Sequence, residues 1–457
     1  MEPAHFRFGG GATATILHPL VALWMLIAVI LVLVLPRNKV IVPLLLTFFL
    51  VPLGQLVLVG SLHFTVLRIL ILVGLVRIAL SRGSSSAGAF PGGFNNLDRV
   101  VILFSVIAAI VFCLEWMDPQ AVIARLGDLL DGVGGYMVVR FAIPDTGAIR
   151  RTIKTLALIC VIHGACMINE QISHINVFGL LGSSSVQVTF RDGKIRSQGV
   201  LGNINEGVFG GVLVPLFLLL WTKGAKVLAG AGIAAAVAMV FTCSSSTGVM
   251  ALGGALLGLC FWPLRKRMRL VRRAVALTLV GLHLVMKAPV WALIARVDLT
   301  GSSTGYHRYV LLDRCIRHFS DWWFLGYKNY NQWGDMMFDM CDQYVYVAVM
   351  GGLVSLALYI AILSRGFASV GNSRKRIEGN RGQEWFLWCL GSALFGNLVA
   401  GFGISYLADL QTALFVVLAC ISTAAIKARQ ATLQRAEAPI EVKFAAAPAM
   451  THELFSH

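Results

Sequence analysis

Two arginines, Arg196 and Arg308, stand where the sequence pattern predicts the start of a helix. The guanidinium group is a planar fork of donors that can pair with two phosphate oxygens at once. A helix N-terminus adds oriented backbone N–H groups, which also favour anions. Both side chains are therefore suited to binding a phosphate or pyrophosphate group. The alternative is that they are loop arginines that pair with Asp192 and Asp313.

One histidine and two carboxylates share a long stretch of the sequence with Arg308. His307 precedes it, and Asp339 and Asp342 follow in the same long stretch between apolar runs. Such groups can accept a proton from a hydroxyl nucleophile or orient it. The two aspartates would share one face if the next helix starts early, because residues three apart are neighbours on a helix. The alternatives are solvated surface or helix capping for the aspartates and a structural role for His307.

The residue pattern contains no recognisable metal-ligand spacing. The long stretch has no Asp-x-Asp pair, and the nine cysteines include no Cys-x-x-Cys or Cys/His spacing. We therefore expect metal-independent chemistry without a cofactor. Cys315 and Cys341 fall in the same stretch, where a disulfide is the alternative to two free thiols.

The elements that must position these groups are membrane helices. The sequence is 57% hydrophobic and 13% charged, whereas a soluble domain has about a quarter of its residues charged. Apolar runs at 17–35, 40–59, 345–363 and 407–426 reach the ~20 residues that cross the hydrocarbon core. These features predict an all-α polytopic membrane protein. The net charge of +16 lies mostly between the spans, which favours topogenic charge over nucleic-acid binding.

We predict about twelve to thirteen transmembrane helices. They are placed at 17–35, 40–59, 62–80, 99–114, 120–142, 155–172, 205–221, 226–243, 247–263, 273–290, 343–363, 385–403 and 407–426. The fifth contains charged residues and has an interfacial or re-entrant helix as its alternative. Arg68 lies inside the third, where a charge is costly and often functional.

The basic residues predict the orientation through the positive-inside rule. Most of the 38 Lys and Arg residues fall in loops on one side, which we place in the cytoplasm together with the C-terminus. Residues 173–204 and 291–342 then form two long periplasmic loops of a transmembrane domain at 1–428, the larger loop with short helices. Residues 429–457 are predicted to be a disordered cytoplasmic tail.

Four segments, in chain order, resemble the O-antigen polymerase and ligase family of integral membrane glycosyltransferases. They are Arg-Ser-Gln-Gly at 196–199, Thr-Cys-Ser-Ser-Ser-Thr-Gly at 242–248, Ser-Thr-Gly-Tyr-His-Arg at 303–308, and Asp-Met-Cys-Asp-Gln-Tyr at 339–344 before a Gly-Gly pair at 351–352. Many members carry an arginine beside the Ser-rich turn, and this chain has none there. Ligases typically carry His-Asn where this chain has Asp342 and Gln343, so the resemblance favours a polymerase.

The resemblance implies both a reaction and its site. A glycan on undecaprenyl diphosphate would pass to a lipid-linked acceptor sugar on the periplasmic face of a bacterial inner membrane. The implied catalytic residues are Arg196, Arg308 and Asp339. The implied substrate-binding residues are Asp342, Gln343, Tyr344, His307, Arg191, Arg314, Ser245 and Ser246. The implied partners are membrane lipid, a chain-length regulator and a flippase, with no nucleic acid.

Two alternatives stay open at this point. A ligase would use the same donor and move the glycan to a different acceptor. A transporter or lipid-linked sugar flippase belongs to another class, in which two related halves with broken helices are common. The sequence shows no such internal repeat.

Overall fold

The computed structural model describes residues 14–52, 54–60, 62–81, 90, 92–182, 186–191, 193–222, 224–296 and 304–437. In chain order the helices are α1 (Pro19–Val34), α2 (Ile41–Leu50), α3 (Val66–Ser81), α4 (Asn96–Trp116), α5 (Pro119–Leu129), α6 (Gly135–Ala142), α7 (Thr146–Ser173), α8 (Asn203–Thr222), α9 (Lys226–Thr242), α10 (Ser246–Cys260), α11 (Met268–Val285), α12 (Thr304–Arg317), α13 (Phe319–Trp322), α14 (Gln343–Arg376), α15 (Arg381–Ala400) and α16 (Ala408–Glu437). Two antiparallel hairpins pair β1 (Leu56–Val59) with β2 (Leu62–Thr65) and β3 (Thr189–Arg191) with β4 (Lys194–Arg196).

The helical bundle confirms the prediction of an all-α polytopic membrane protein. Among the described residues, five helices are long and apolar enough to cross a membrane, namely α4, α7, α8, α14 and the Asp409–Gln434 part of α16. A sixth candidate combines α11 with the 3-10 helix Val290–Arg296, to which it is bent by 93°. The helices α1, α9 and α10 are apolar but shorter. The best-buried candidates are α8 and α16, which form the centre of the bundle, whereas α11 has no buried residue.

The second predicted span, 40–59, is wrong beyond residue 50. The helix α2 ends at Leu50, and Val51 is extended with a ψ of 123°, because the residue before a proline disfavours the helical conformation. The chain then enters the first hairpin, in which Leu56 pairs with Thr65. The apolar residues of 40–59 predicted a transmembrane helix. Hydropathy alone does not show that Pro52 ends the helix.

The fifth predicted span crosses the bundle as one continuous helical path. The helix α5 passes through a π-helical turn at Leu130–Gly134 directly into α6. Just before the path, Glu115 accepts a hydrogen bond from Lys328 N at 3.0 Å. Near its end, Phe141 O accepts one from Arg37 Nε at 2.8 Å. The path therefore runs from the neighbourhood of Lys328 to that of Arg37.

The two ends of the bundle carry different segments. One end, the loop end, holds the described residues of the ranges 51–65, 173–202 and 291–342. We call residues 291–342 the long segment, and it contains α12, α13 and short 3-10 turns, as predicted. The other end, the basic end, holds the connections that follow α1, α6, α10 and α14, with their Lys and Arg clusters.

The helix α14 is broken at Gly352, whose φ of +70° favours glycine. Backbone groups of the long segment form hydrogen bonds with α14 at this break. Tyr327 N donates to Val349 O at 2.7 Å, and Leu353 N donates to Trp323 O at 2.9 Å. A Cβ atom on Gly352 would lie 2.6 Å from a carbonyl oxygen of the same segment. The Gly-Gly pair therefore allows the long segment to dock into a membrane helix.

The last helix is longer than the sequence predicted. We expected a tail from residue 429 onward, but α16 continues to Glu437. The residues after 428 are mostly strong helix formers such as Ala, Gln, Leu and Arg, which lets the helix continue after the apolar pattern has ended. Residues 438–457 lie outside the described residues.

Candidate active site

Arg196 and Arg308, two of the predicted residues, both contact the Ser-rich turn between α9 and α10. The chain leaves α9 through Ser244, which has a left-handed φ of +46°, and enters α10 at Ser246. Ser245, buried at the N-cap, makes no side-chain capping bond. Strand β4 and the residue after it pack against the turn. Ser197 N donates to Thr242 O at 3.1 Å, and Ser244 Oγ donates to Ile195 O at 3.2 Å.

Arg308 reaches this turn from the long segment. Its Nη2 donates to Ser246 Oγ at 3.0 Å and to Thr247 Oγ1 at 2.8 Å, and its Nη1 contacts Met250 Sδ at 3.1 Å. Thr247 Oγ1 in turn donates to Gly403 O at 3.0 Å, in the connection between α15 and α16. Arg308 is only 3% exposed. The side chain therefore joins the long segment to α10 at the loop end.

Arg196 approaches the same turn from the other side. It is half-buried at the end of β4, and its Nε donates to Cys243 O at 3.4 Å. The two arginines that the sequence singled out thus contact Cys243 and Ser246, at opposite ends of one turn. This convergence could not be deduced from the sequence, because the two segments are far apart in the chain.

Two buried carboxylates, Glu170 and Glu206, bind the backbone of the residues that follow Arg196. They accept the four backbone N–H groups of residues 198–201 at distances of 2.8 to 3.1 Å. Gly199 has a φ of +55°, and a Cβ atom there would lie 2.3 Å from Glu206 Oε1. The glycine of the Arg-Ser-Gln-Gly segment is therefore required by backbone conformation and by contact with Glu206.

Glu206 also contacts a buried histidine. Its Oε2 lies 2.8 Å from His163 Nδ1, and His163 Nε2 lies 2.8 Å from Phe49 O. Neither side chain is exposed. Because a carbonyl oxygen can only accept, Nε2 carries a proton, and a second proton must lie between Nδ1 and Oε2. The only sequence signal for this network is a polar residue within an apolar span, His163, because such residues are costly in a membrane.

Asp342 caps α14. Its Oδ1 accepts hydrogen bonds from Tyr344 N at 2.8 Å and Val345 N at 3.0 Å. The residue is 1% exposed, and Oδ2 accepts no hydrogen bond within the described part of the chain. Burial raises the pKa of the Asp342 carboxyl to about 6, against the opposing effects of the cap and of the positive charge of Arg308.

Gln343 and Tyr344 join α14 to the turn between α15 and α16. Gln343 Oε1 accepts a hydrogen bond from Tyr406 N at 2.5 Å, and Gln343 N donates to Gly401 O at 2.7 Å. The Tyr344 hydroxyl donates to Leu398 O at 2.8 Å. These side chains have structural partners that the sequence did not reveal.

The remaining predicted residues lie at different distances from the turn. Arg191 is exposed on the second hairpin and Arg314 is exposed on α12. Asp313, considered as an ion-pair partner for Arg308, accepts hydrogen bonds from Arg317 and Trp291. Asp192 lies outside the described residues. Cys315 and Cys341 are both free thiols, so the disulfide alternative is not realised in this structure.

His307, Asp339 and Cys341 come together beside Arg308 and Asp342. His307 Nε2 lies 2.8 Å from the backbone oxygen of Asp339, and the Asp339 side chain is exposed. One potential ligand atom from each of the three residues lies within 4.8 Å of the others. The sequence showed no metal-ligand spacing here because His307 lies on α12 and the other two precede α14.

A cavity of about 450 Å³ lies between α3, α4, α5, α14 and α16. Gln343 and Tyr406 line it and connect it to the residues around Asp342. Arg68, singled out in the sequence, also lines it and binds Asp131 through three contacts of 2.9 to 3.2 Å. Asp409 is 5% exposed and lines the same space. The cavity thus combines apolar walls with carboxylates, amides and phenols.

Comparison of the sequence with models of known protein families and with curated proteins found no match. The function must therefore be argued from the arrangement of these residues.

Proposed function

We propose that this chain is a membrane glycosyltransferase that polymerises polysaccharide repeat units carried on undecaprenyl diphosphate. The proposal depends above all on the convergence of Arg196 and Arg308 at the Ser-rich turn. It is also supported by the resemblance of four segments to the O-antigen polymerase and ligase family. A carboxylate, Asp339, stands near the same end of the bundle.

In this proposal the two arginines hold the donor pyrophosphate. The N-terminus of α10 adds a partial positive charge, because its peptide dipoles align along the helix. Arg308 now donates to two neutral hydroxyls, on Ser246 and Thr247. Charge-assisted bonds to phosphate are about twice as strong as neutral ones. Phosphate oxygens would therefore replace the hydroxyls as acceptors when the donor binds.

The chemical step transfers the glycan from phosphate to a hydroxyl. The acceptor oxygen forms a bond to the anomeric carbon, and the bond from that carbon to the phosphate oxygen breaks. The electron pair leaves with undecaprenyl diphosphate, whose added charge the two arginines stabilise. The hydroxyl proton passes to Asp339, which acts as the general base.

The cavity beside Gln343 offers space for the acceptor unit. Its carboxylates and amides can bind sugar hydroxyls, and its aromatic walls can pack against sugar rings. Asp342, in contrast, is engaged as a helix cap. We therefore assign the acceptor to the cavity and leave Asp342 out of the chemistry.

The proposed orientation of the protein in the membrane follows from the Lys and Arg residues at the basic end. Under the positive-inside rule this end faces the cytoplasm, and the loop end with Arg196 and Arg308 faces the periplasm of a bacterial inner membrane. The C-terminus is then cytoplasmic. The proposed partners are a flippase that delivers the lipid-linked unit and a chain-length regulator.

The test is a glycan profile of a strain that lacks the gene and carries a plasmid copy. We compare wild type, Arg308→Ala and Arg308→Lys, with Arg381→Ala at the basic end as a matched arginine control. We expect single-repeat lipid-linked units to accumulate in both Arg308 variants, at normal protein level, and normal polymer in the control.

The other outcomes discriminate between the alternatives. Long lipid-linked chains without their final acceptor would identify a ligase. Lipid-linked units that remain on the cytoplasmic face would identify a flippase. Normal polymer from Arg308→Ala would exclude Arg308 from the mechanism.

A further inference from the structure

We propose that His307, Asp339 and Cys341 form a binding site for a divalent transition-metal ion of the zinc class. One donor atom from each residue lies within 4.8 Å of the others. Imidazole nitrogen, thiolate sulfur and carboxylate oxygen are the three donor types that zinc uses in proteins. Magnesium and calcium prefer sites made of oxygen alone, so this mixed set selects against them.

The orientation of His307 supports this assignment. Its Nε2 lies 2.8 Å from the backbone oxygen of Asp339, so Nε2 is the protonated nitrogen and Nδ1 keeps its lone pair. Metal-binding histidines almost always donate their second ring N–H to a carbonyl or carboxylate in this way. When Nδ1 is the ligand nitrogen, this hydrogen bond supplies the second partner that such histidines use.

The distances require only a small adjustment. Donors at about 2.0 to 2.3 Å from a tetrahedral zinc ion stand about 3.5 Å apart. The three donor atoms lie within 4.8 Å of one another, so no pair needs to close by more than roughly 1.3 Å. Three protein ligands leave the fourth position for water, as in zinc sites that are not purely structural.

The position of the site predicts that a bound metal ion regulates the enzyme. This part of the inference rests on the proposed function. His307 is adjacent to Arg308, and Asp339 is the proposed base. A bound ion would take the Asp339 carboxylate as a ligand and would fasten α12 to the chain entering α14. Zinc is therefore expected to inhibit the transferase.

Binding is tested on the purified full-length protein in detergent after treatment with a chelator. Zn²⁺ is titrated in competition with a chromophoric indicator, and Co²⁺ serves as a spectroscopic probe. We expect one saturable site per chain and a sulfur-to-cobalt charge-transfer band. His307→Ala and Cys341→Ser should each weaken binding at least about tenfold, and Cys341→Ser should remove the band.

The controls separate a specific site from general thiol binding. Cys260→Ser, which alters an exposed thiol at the basic end, should change neither affinity nor the band. Gel filtration confirms that each variant is folded, and Asp339→Asn provides a third variant if one is not. The absence of saturable binding, or binding that the three variants leave unchanged, would overturn the site.

The inhibitory effect has its own readout. Polymer synthesis in membranes is measured with and without Zn²⁺ for wild type and Cys341→Ser. Inhibition of wild type alone supports the regulatory role. Unchanged synthesis with a filled site would overturn inhibition, while the polymerase proposal would be judged separately by the Arg308 variants.

Discussion

Gly199 lies so close to Glu206 that a Cβ atom at position 199 would stand 2.3 Å from the Glu206 carboxylate oxygen. Gly199→Ala should therefore displace the Glu206 carboxylate and break its hydrogen bonds to the backbone N–H groups of residues 200 and 201. Gly193→Ala is the matched control, because Gly193 also has a positive φ, +71°, but has open space around it. Both variants carry backbone strain of about 1 kcal/mol. Only Gly199→Ala should lose a further 1–3 kcal/mol or so, seen as a lower melting temperature in detergent. Equal melting temperatures would contradict the contact.

The Glu206 side chain should tolerate an amide but not an apolar replacement. Glu206→Gln keeps one oxygen for the backbone N–H groups of residues 200 and 201 and can donate to His163. Glu206→Leu leaves those N–H groups and His163 without their acceptor, at a cost of several kcal/mol. Thermal stability in detergent should therefore fall far more for Leu than for Gln. A Gln variant as unstable as the Leu variant would mean that the charge itself is indispensable.

Thr247 should matter because its hydroxyl serves two partners. It accepts from Arg308 Nη2 and donates to Gly403 O. Thr247→Val keeps the shape and removes both bonds, so stability should fall by about 1–2 kcal/mol and polymer yield should decrease. Thr432→Val is the control, since Thr432 bonds only within its own helix, to Ala428 O at 2.9 Å. A matching loss in both variants would show a general effect of the hydroxyl.

Asp342 should behave as a helix cap. Asn is as good an N-cap as Asp, whereas Ala costs about 1 kcal/mol. Asp342→Asn should therefore retain near-normal stability and polymer, and Asp342→Ala should be less stable. Loss of polymer in a stable Asn variant would show that the carboxylate takes part in catalysis or binding.

Arg68 and Asp131 should be energetically coupled. Arg68 Nε lies 3.2 Å from Asp131 Oδ1 and Nη2 lies 2.9 Å from Oδ2, a bidentate and partly buried geometry that makes ion pairs stronger than exposed ones. A double-mutant cycle with Arg68→Met and Asp131→Asn should give a coupling energy of about 1–2 kcal/mol. Lys266 and Glu378, an exposed ion pair at 2.9 Å, provide the comparison and should couple by less. A coupling near zero for Arg68 would show that the pair adds no stability.

The sequence predicted most of the helices because crossing a membrane requires long apolar runs, and these are visible without knowledge of contacts. It failed at 40–59, where a proline ends the helix inside an apolar run. It also identified Arg308 and the Ser-rich turn as separate features. Their contact could not be predicted, because it depends on how α10 and α12 pack.

The buried network around Glu206 was harder to predict for a different reason. His163 and Glu170 lie on α7 and Glu206 lies on α8; only His163 has apolar neighbours in the sequence, whereas the glutamates stand among other polar residues near helix ends. Their partners are mainly backbone groups of residues 198–201, which carry no side-chain signal. The same limit applies to His307 and Cys341, whose approach depends on the path of the long segment.

The docking of the long segment into the break of α14 has a consequence for biosynthesis. Val349 O and Leu353 N each form a backbone hydrogen bond with that segment. An unpaired backbone group costs several kcal/mol in hydrocarbon, so the helix reaches its final form only with the segment in place. During translation residues 291–342 emerge before residues 343–376, so the partner is synthesised before the helix that needs it. The chain order thus provides an assembly order.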